Sequence, residues 1–139
     1  MLFRSALRHL GAKRIGYLAP YISDISTKMC ADFEADGFPV KVAATFGEGR
    51  DSVVGRISPA SILAALDSLA ASANASADTN IDAIFVSCTS LKCASIIEIA
   101  EKQLGIPVIS SNSALAWDMA RLANVTVNGT GKGRLFQQN

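Results

Sequence analysis

The sequence predicts one α/β domain, a four-stranded parallel sheet with flanking helices. Short apolar segments alternate four times with longer segments of helical pattern. The third apolar segment, residues 81–87, is apolar almost throughout, as expected for a strand that helices cover on both faces. The 139 residues, of which 50% are hydrophobic and 18% charged, suffice for a single domain with a buried core. Such alternation favours parallel strands joined by right-handed crossovers.

Local signals place the first two strands and the helix between them. The apolar run at residues 14–19 predicts the first strand. A helix is expected at 24–37, with Gly37 as its C-terminal stop. Residues 38–46 form the second predicted strand, and a polar loop follows at 47–56. The candidate N-caps of the helix are Asp24 and Ser26.

The middle of the chain carries the clearest helix start. Ser58 is expected to cap a helix over 58–72, because Pro59 then occupies the first helical position. The small residues at 71–80 predict a loop, and the third strand follows at 81–87.

The last elements repeat the pattern. A helix is expected over 90–105, where Gly105 ends it. Residues 106–110 form the fourth predicted strand, and the final helix is placed at 112–123.

The two ends of the chain lie outside this core, which spans residues 13–123. Residues 1–12 carry Arg and no acid, as a transit peptide would, but their apolar residues recur at helical spacing and predict a helix that leads into the first strand. The glycine-rich tail, 124–139, is not a phosphate loop, because no strand and helix flank its glycines and no Ser or Thr follows Lys132. It is expected to be a flexible or docking tail.

Composition excludes several classes of function. The formal net charge is +1 and the basic residues are scattered, so no nucleic-acid or membrane-surface partner is expected. No apolar run approaches the roughly 18–20 residues that span a bilayer. An odd number of cysteines without a secretion signal predicts free thiols in a cytoplasmic protein. The spacing of Cys88 and Cys93, with His9 far away, fits no common zinc pattern, so no metal is expected.

Ligands of parallel sheets bind beyond the carboxyl ends of the strands. Four segments are therefore expected to share one rim of the sheet: Pro20–Tyr21, residues 45–56, Ser87–Ser90 and Ser110–Asn112.

Cys88 is the most informative residue of this rim. It follows the third strand directly, at the expected start of a helix, where backbone amides and the helix dipole would favour a thiolate or hold a substrate carboxylate. The alternative is a small buried structural cysteine, and position alone leaves the two interpretations equally open. Cys30 and Cys93 are expected to be packed inside helices, and His9 to lie on the surface.

Four segments carry a family resemblance: RIGYLAPY, RISPASI, FVSCTSLKCASIIEIAEKQLGIPVISSNSALAW and GKGRLF. Together they resemble the C-terminal part of the Asp/Glu racemase superfamily, in the branch of maleate isomerases, arylmalonate decarboxylases and ectoine-utilisation proteins. In that family two α/β halves face each other across a pseudo-twofold axis, each half can supply a cysteine, and the substrate lies between them. The resemblance and the pattern together imply the strand order 2-1-3-4.

The resemblance also implies roles for individual residues. Cys88 matches the cysteine of the second half, and Tyr21 matches the tyrosine after that half's first strand. Thr89 and Ser90 match positions that bind a carboxylate. Asp51 stands where the maleate isomerase pattern has asparagine, which favours the ectoine-utilisation branch. The first half is missing, and residues 1–12 resemble its last helix.

The resulting hypothesis is a cofactor-independent, cysteine-dependent isomerase or racemase domain that acts on a small carboxylic acid. An arylmalonate-type decarboxylase is the enzymatic alternative, and a non-catalytic fragment that folds and self-associates is the other. The expected partner is a second copy or a missing N-terminal half. The apolar residues expected at such an exposed surface are Leu2, Phe3, Leu7, Leu115, Trp117 and Leu122.

Overall fold

A computed structural model describes residues 2–127 and 133–137, without the side chain of Leu2. Its sheet has four parallel strands in the order β2-β1-β3-β4, which confirms the predicted fold class and strand order. The strands are β1 (Ile15–Ala19), β2 (Val40–Thr45), β3 (Ala83–Val86) and β4 (Val108–Ser110). The helices are α1 (Leu2–His9), α2 (Ser23–Ala35), α3 (Asp51–Val54), α4 (Pro59–Asn74), α5 (Ile97–Leu104) and α6 (Ser111–Leu122).

Helices cover both faces of the sheet, as the apolar character of its central strands requires. On one face α4 and α5 pack with residues of β1 and β3, and their core includes Ile62, Leu66 and Ile84. On the other face α1, α2 and α6 surround Tyr17 and Phe85. The two cores hold the sheet between them. Because all four strands are parallel, their carboxyl ends lie at one edge of the sheet.

The predicted caps of α4 and α5 are confirmed. The side chain of Ser58 accepts a hydrogen bond from the amide of Ser61, and Pro59 begins the helix. Gly105 ends α5 with φ of +75°, a conformation that glycine adopts without strain. Helix α6 begins one residue earlier than expected, because Ser110 and Ser113 form a reciprocal capping box.

The start of α5 was predicted wrongly. Residues 89–96 form turns, and the helix begins only at Ile97. Leu91, Cys93 and Ile96 are all buried in the core beside α4. Positions 91 and 93 lie on opposite sides of a helix, so a helix could not bury both against the same cluster. Burial therefore decides the local conformation here.

Smaller differences have equally local causes. Helix α2 has Ile22 as its N-cap without a side-chain cap, so neither Asp24 nor Ser26 plays the predicted role. The polar loop at 47–56 contains the short helix α3, and the expected loop at 71–80 begins after Asn74, where α4 ends.

The expectation of six exposed apolar residues is only partly met. Leu7 is fully buried and Trp117 is 6% exposed, because α1 packs on α6 and the ring of His9 stacks 4.8 Å from that of Trp117. Leu115 and Leu122 on α6 are exposed. Phe3 is half-buried against Phe33 and Phe85, and the side chain of Leu2 lies outside the described residues.

Part of the tail docks on the domain. Leu135 and Phe136 are buried, and the amide of Arg134 donates to the Glu101 carboxylate at 2.8 Å. The Arg134 guanidinium donates to the carbonyl of Gly105 at 2.9 Å. Lys132, in the segment rejected as a phosphate loop, lies outside the described residues.

Candidate functional site at the carboxyl edge of the sheet

The polar segments expected at the rim lie together at the carboxyl edge of the sheet. Tyr21 follows β1, Asp51 begins α3 beyond β2, Cys88 follows β3, and Asn112 lies in the first turn of α6 after β4. The amide of Ser87 donates to the carbonyl of Leu18 at 2.8 Å, so the pairing of β1 with β3 continues up to the residue before Cys88.

Cys88 has a strained backbone. Its φ is +103°, a value that residues with a side chain rarely adopt and that glycine adopts without cost. Such conformations cost about 1–3 kcal/mol and persist where surrounding contacts over-determine them. Here the amide of Cys88 donates to the Ser111 hydroxyl at 3.1 Å, and the residue is 7% exposed. Strain at a cysteine on a binding edge is typical of a functional position rather than of a filler residue.

The Cys88 sulfur has one close backbone donor. The amide of Ser90 lies 3.4 Å from Sγ and points at it. The predicted contribution of a helix dipole is wrong, because α5 begins at Ile97 and residues 89–96 are turns. The turn is held from the first turn of α6, since the Asn112 side-chain amide donates to the carbonyl of Thr89 at 2.9 Å. Thr89 is exposed and Ser90 is half-buried.

Tyr21 lies against Cys88. Burial raises the pKa of the Tyr21 phenol, and hydrogen bonding to the Cys88 thiol is the next largest cause of the increase. Ser87 acts in the opposite direction on the same pKa, and the charge of Asp51 adds a smaller increase. The backbone carbonyl of Tyr21 accepts from the hydroxyls of Thr45 and Ser26, so the loop after β1 is tied to β2 and α2.

Asp51 is exposed at the first position of α3. The loop that leads to it is ordered by an ion pair, in which the Arg50 guanidinium donates to both Glu48 oxygens at 2.9 and 3.1 Å. These bonds lower the pKa of Glu48 to about 2. Neither Glu48 nor Arg50 was predicted as a site residue.

The other two thiols differ from Cys88. Cys93 is 2% exposed, and burial together with the charge of Cys88 raises its pKa to about 12. Cys30 lies on α2, where burial and the nearby Glu34 raise its pKa. Both are packed as predicted, although Cys93 precedes α5 instead of lying within it.

The site is shaped by two hydroxyls that the sequence placed in the rim segments without assigning them a role. Ser111 receives the amide of Cys88, and Ser87 lies between the strand and the thiol. Both follow a strand end directly, which is the signal that could have singled them out.

Neither a candidate metal site nor a membrane-spanning helix is found among the described residues. Across residues 2–127 and 133–137, no three His, Cys, Asp or Glu side chains gather in a way that could hold a metal ion. Within the same ranges, no helix has the length and apolar character needed to cross a membrane.

Comparison with known proteins identifies relatives along nearly the whole chain. The family model for arylmalonate decarboxylase matches residues 3–136. The maleate isomerase of Nocardia farcinica (strain IFM 10152) is 31% identical over 134 residues, which are 96% of this chain and 51% of the relative. The arylmalonate decarboxylase of Bordetella bronchiseptica is 29% identical over 136 residues, 97% of this chain and 55% of the relative. The chain thus spans about half the length of these relatives.

A solved structure is also similar to this chain over nearly its whole length. It is a Nocardia farcinica maleate cis-trans isomerase, a cysteine-to-serine mutant with a covalently bound succinylcysteine intermediate. It superimposes with a TM-score of 0.86 at 27% identity, over 99% of this chain and 54% of the other.

Proposed function

The chain belongs to the arylmalonate decarboxylase family, and on that premise we propose that it is one half of a cofactor-independent, cysteine-dependent isomerase or racemase for a small carboxylic acid. The observation that carries the proposal is the strained backbone of Cys88 at the rim, where Tyr21 packs against the core cluster that contains Cys88. The succinylcysteine intermediate of the Nocardia isomerase supports a covalent role for a cysteine in a relative.

The first form of the chemistry is addition to a double bond. The Cys88 thiolate forms a C–S bond to one alkene carbon, and the alkene electron pair moves toward the adjacent carboxylate as an enediolate. Rotation about the carbon–carbon bond that has become single, followed by loss of the thiolate, gives the isomerised alkene. Once the C–S bond has formed and the sulfur no longer carries negative charge, Tyr21 would donate its one hydrogen bond to a substrate carboxylate, and the amide of Ser90 would stabilise developing negative charge.

The second form is proton transfer. The Cys88 thiolate takes the proton next to a carboxylate, and an acid on the opposite side of the substrate returns one to the other face. Of the chain's three cysteines, all within the described residues, only Cys88 lies at the rim. The opposite acid would therefore come from a second half.

Decarboxylation is the second candidate, favoured by the matched family model. Loss of CO2 leaves a carbanion, which a single Cys88 thiol can protonate from one side. That reaction needs no second cysteine, so it suits a site with one thiol.

We also propose that a second α/β half completes the site, either another copy of this chain or a separate N-terminal half. The length of chain supports this, since relatives with these activities are about twice as long. A homodimer would bring two copies of Cys88 face to face across a true twofold axis. We assign Thr89 and Ser90 to carboxylate binding, and Asp51 to contact with another part of the substrate, because its own negative charge would repel a carboxylate.

The experiment mixes the protein with maleate, aspartate and an arylmalonate, and follows products by NMR in D2O while light scattering gives the oligomeric state. Cys88→Ala is expected to lower any turnover by at least about 100-fold. Cys30→Ala, a cysteine change away from the rim, is the control and should retain turnover. Activity that survives in Cys88→Ala would refute the proposal. If no assembly of the chain turns over any of the three compounds, the alternative of a non-catalytic fragment would hold instead.

A further inference from the structure

Tyr17 carries a buried hydroxyl that the fold does not explain. The residue lies in the middle of β1 and is fully buried. Its phenol oxygen has no hydrogen-bond partner among the described residues. An unpartnered buried hydroxyl costs about 1–3 kcal/mol, and phenylalanine would fill the same space without that cost. The position therefore retains a polar group for a reason other than packing.

The register of the sheet places this phenol next to Ser87. Tyr17 pairs with Phe85, and Ser87 lies two residues further along β3 on the same face. Diagonal neighbours of this kind are within reach of a long side chain. Ser87 is 3% exposed, and its side chain lowers the pKa of both Tyr17 and Tyr21. Tyr21 packs against both cores, the one that contains Tyr17 and the one that contains Cys88, so the two phenols and the thiol meet at this end of the sheet.

We propose that Tyr17 and Ser87 are positioning residues that form a buried hydroxyl relay, in which Tyr17 donates to Ser87, Ser87 to Tyr21, and Tyr21 to the sulfur of Cys88. The relay rests on the proposed function only in taking Cys88 as the reactive thiol. It acts through Tyr21 and touches no substrate.

The direction of the relay is set by its reactive end. A thiolate can only accept a hydrogen bond, so Tyr21 must donate to it, and the oxygen of Tyr21 is then left to accept from Ser87. Ser87 has a single proton, so its own oxygen accepts from Tyr17, whose hydroxyl stays protonated at neutral pH because burial raises its pKa to about 12. In the structure the Tyr17 hydroxyl has no hydrogen-bond partner within the described part of the chain, and negative charge on the Cys88 sulfur would orient each hydroxyl toward the next oxygen without transferring a proton.

Other titratable groups face the relay and must be distinguished from it. Cys30 on α2 lies near Tyr17, Asp51 of α3 lies near Tyr21, and Cys93 lies near Cys88. None of them is changed in the variants below, so their influence on the thiol is the same in every protein compared.

The experiment measures the rate of iodoacetamide alkylation of Cys88 in the full chain against pH, with mass spectrometry to resolve the three cysteines. Tyr17→Phe and Ser87→Ala are each expected to raise the pH midpoint of alkylation by about half to one unit, because each removes one hydrogen bond from the relay that stabilises the Cys88 thiolate. The double variant should shift no further than Ser87→Ala alone, because both changes break one chain. Ser87→Thr, which keeps the hydroxyl, should restore the wild-type midpoint.

Ser58→Ala is the matched stability control. It removes the cap of α4 far from the thiol, so it should lower the free energy of unfolding and leave the alkylation midpoint unchanged. A Tyr17→Phe profile that superimposes on wild type would overturn the relay, even if Ser87→Ala does not fold. Alkylation does not need turnover, so a shifted midpoint in an inactive protein would refute the proposed function alone. A wild-type Cys88 that reacts no faster than Cys30 would refute both.

Discussion

At the scale of the residue, Cys88 combines features that packing alone would not select. It has a positive φ, its amide donates to Ser111 at the start of α6, and its sulfur accepts from the amide of Ser90. The chain thus has a cysteine at a position whose backbone conformation favours glycine.

This strain predicts an unusual order of stability among substitutions. Cys88→Gly should be more stable than Cys88→Ala by about 1 kcal/mol, because glycine relieves the positive φ by more than it adds backbone entropy to the unfolded chain. Chemical denaturation of the two variants measures the difference. An alanine variant as stable as the glycine variant would show that the backbone at Cys88 is unstrained.

The three thiols should also differ in reactivity. At pH 8, limited iodoacetamide treatment should modify Cys88 about tenfold faster than Cys30 or Cys93. Burial raises the pKa of both Cys30 and Cys93, and Cys93 is almost inaccessible. Peptide mass spectrometry after a short exposure measures the three rates. Preferential modification of Cys30 would contradict the assignment of Cys88 as the reactive thiol.

At the scale of the element, two helices end at a glycine, but only one of those ends requires glycine. Gly105 has φ of +75° and open space where a Cβ would lie, whereas Gly55 follows α3 with φ of −63°, which any residue adopts. The conformation of Gly105 therefore favours glycine, and that of Gly55 does not.

Substituting these glycines should have opposite effects. Gly105→Ala is expected to cost about 1 kcal/mol, because alanine is strained at that φ even though nothing obstructs it. Gly55→Ala should be neutral or stabilising by a few tenths of a kcal/mol, since its conformation suits alanine. Thermal and denaturant unfolding of both variants tests this, and equal losses of stability would argue against the left-handed cap at Gly105.

At the scale of the whole molecule, the docked tail depends on a buried carboxylate. Glu101 is 4% exposed and accepts the amides of Val108 and Arg134 at 3.0 and 2.8 Å, which connects α5, β4 and the tail. Gly133 allows the approach, because a Cβ there would lie 2.6 Å from a methyl of Ile97.

This clamp predicts a pH-dependent stability. Burial raises the pKa of Glu101, so the folded protein binds that proton more tightly than the unfolded chain does. The resulting stability is fully present below the unfolded pKa of about 4.3 and is lost as pH rises through the folded value. The free energy of unfolding of wild type relative to Glu101→Gln should therefore fall from pH 4 upward.

Gly133→Ala tests the same clamp without changing the carboxyl group. By displacing the tail it should expose Glu101 and flatten the same part of the pH profile. Denaturant unfolding at several pH values measures all three proteins. A parallel profile for wild type and Glu101→Gln would show that this carboxyl group titrates alike in the folded and unfolded states.

What the sequence by itself determined are the features with local causes. The alternation of apolar and amphipathic segments predicts the parallel sheet, because burial on both faces leaves a continuous apolar run in the strands. Ser58 and Gly105 predict helix ends, because a cap depends on neighbouring backbone groups. The position of Cys88 directly after an apolar strand likewise predicts that it lies at the carboxyl edge of the sheet.

Only the tertiary structure decided the features that depend on residues distant in sequence. Helix α5 starts late because Leu91 and Cys93 must both enter one core, and Trp117 is buried because α1 packs over it. The positive φ of Cys88 is stabilised by Ser111 at the start of α6, and the register of β1 and β3 brings Tyr17 next to Ser87. Periodicity and capping rules read one stretch of chain at a time, whereas these conformations are set by contacts between stretches that the fold alone brings together.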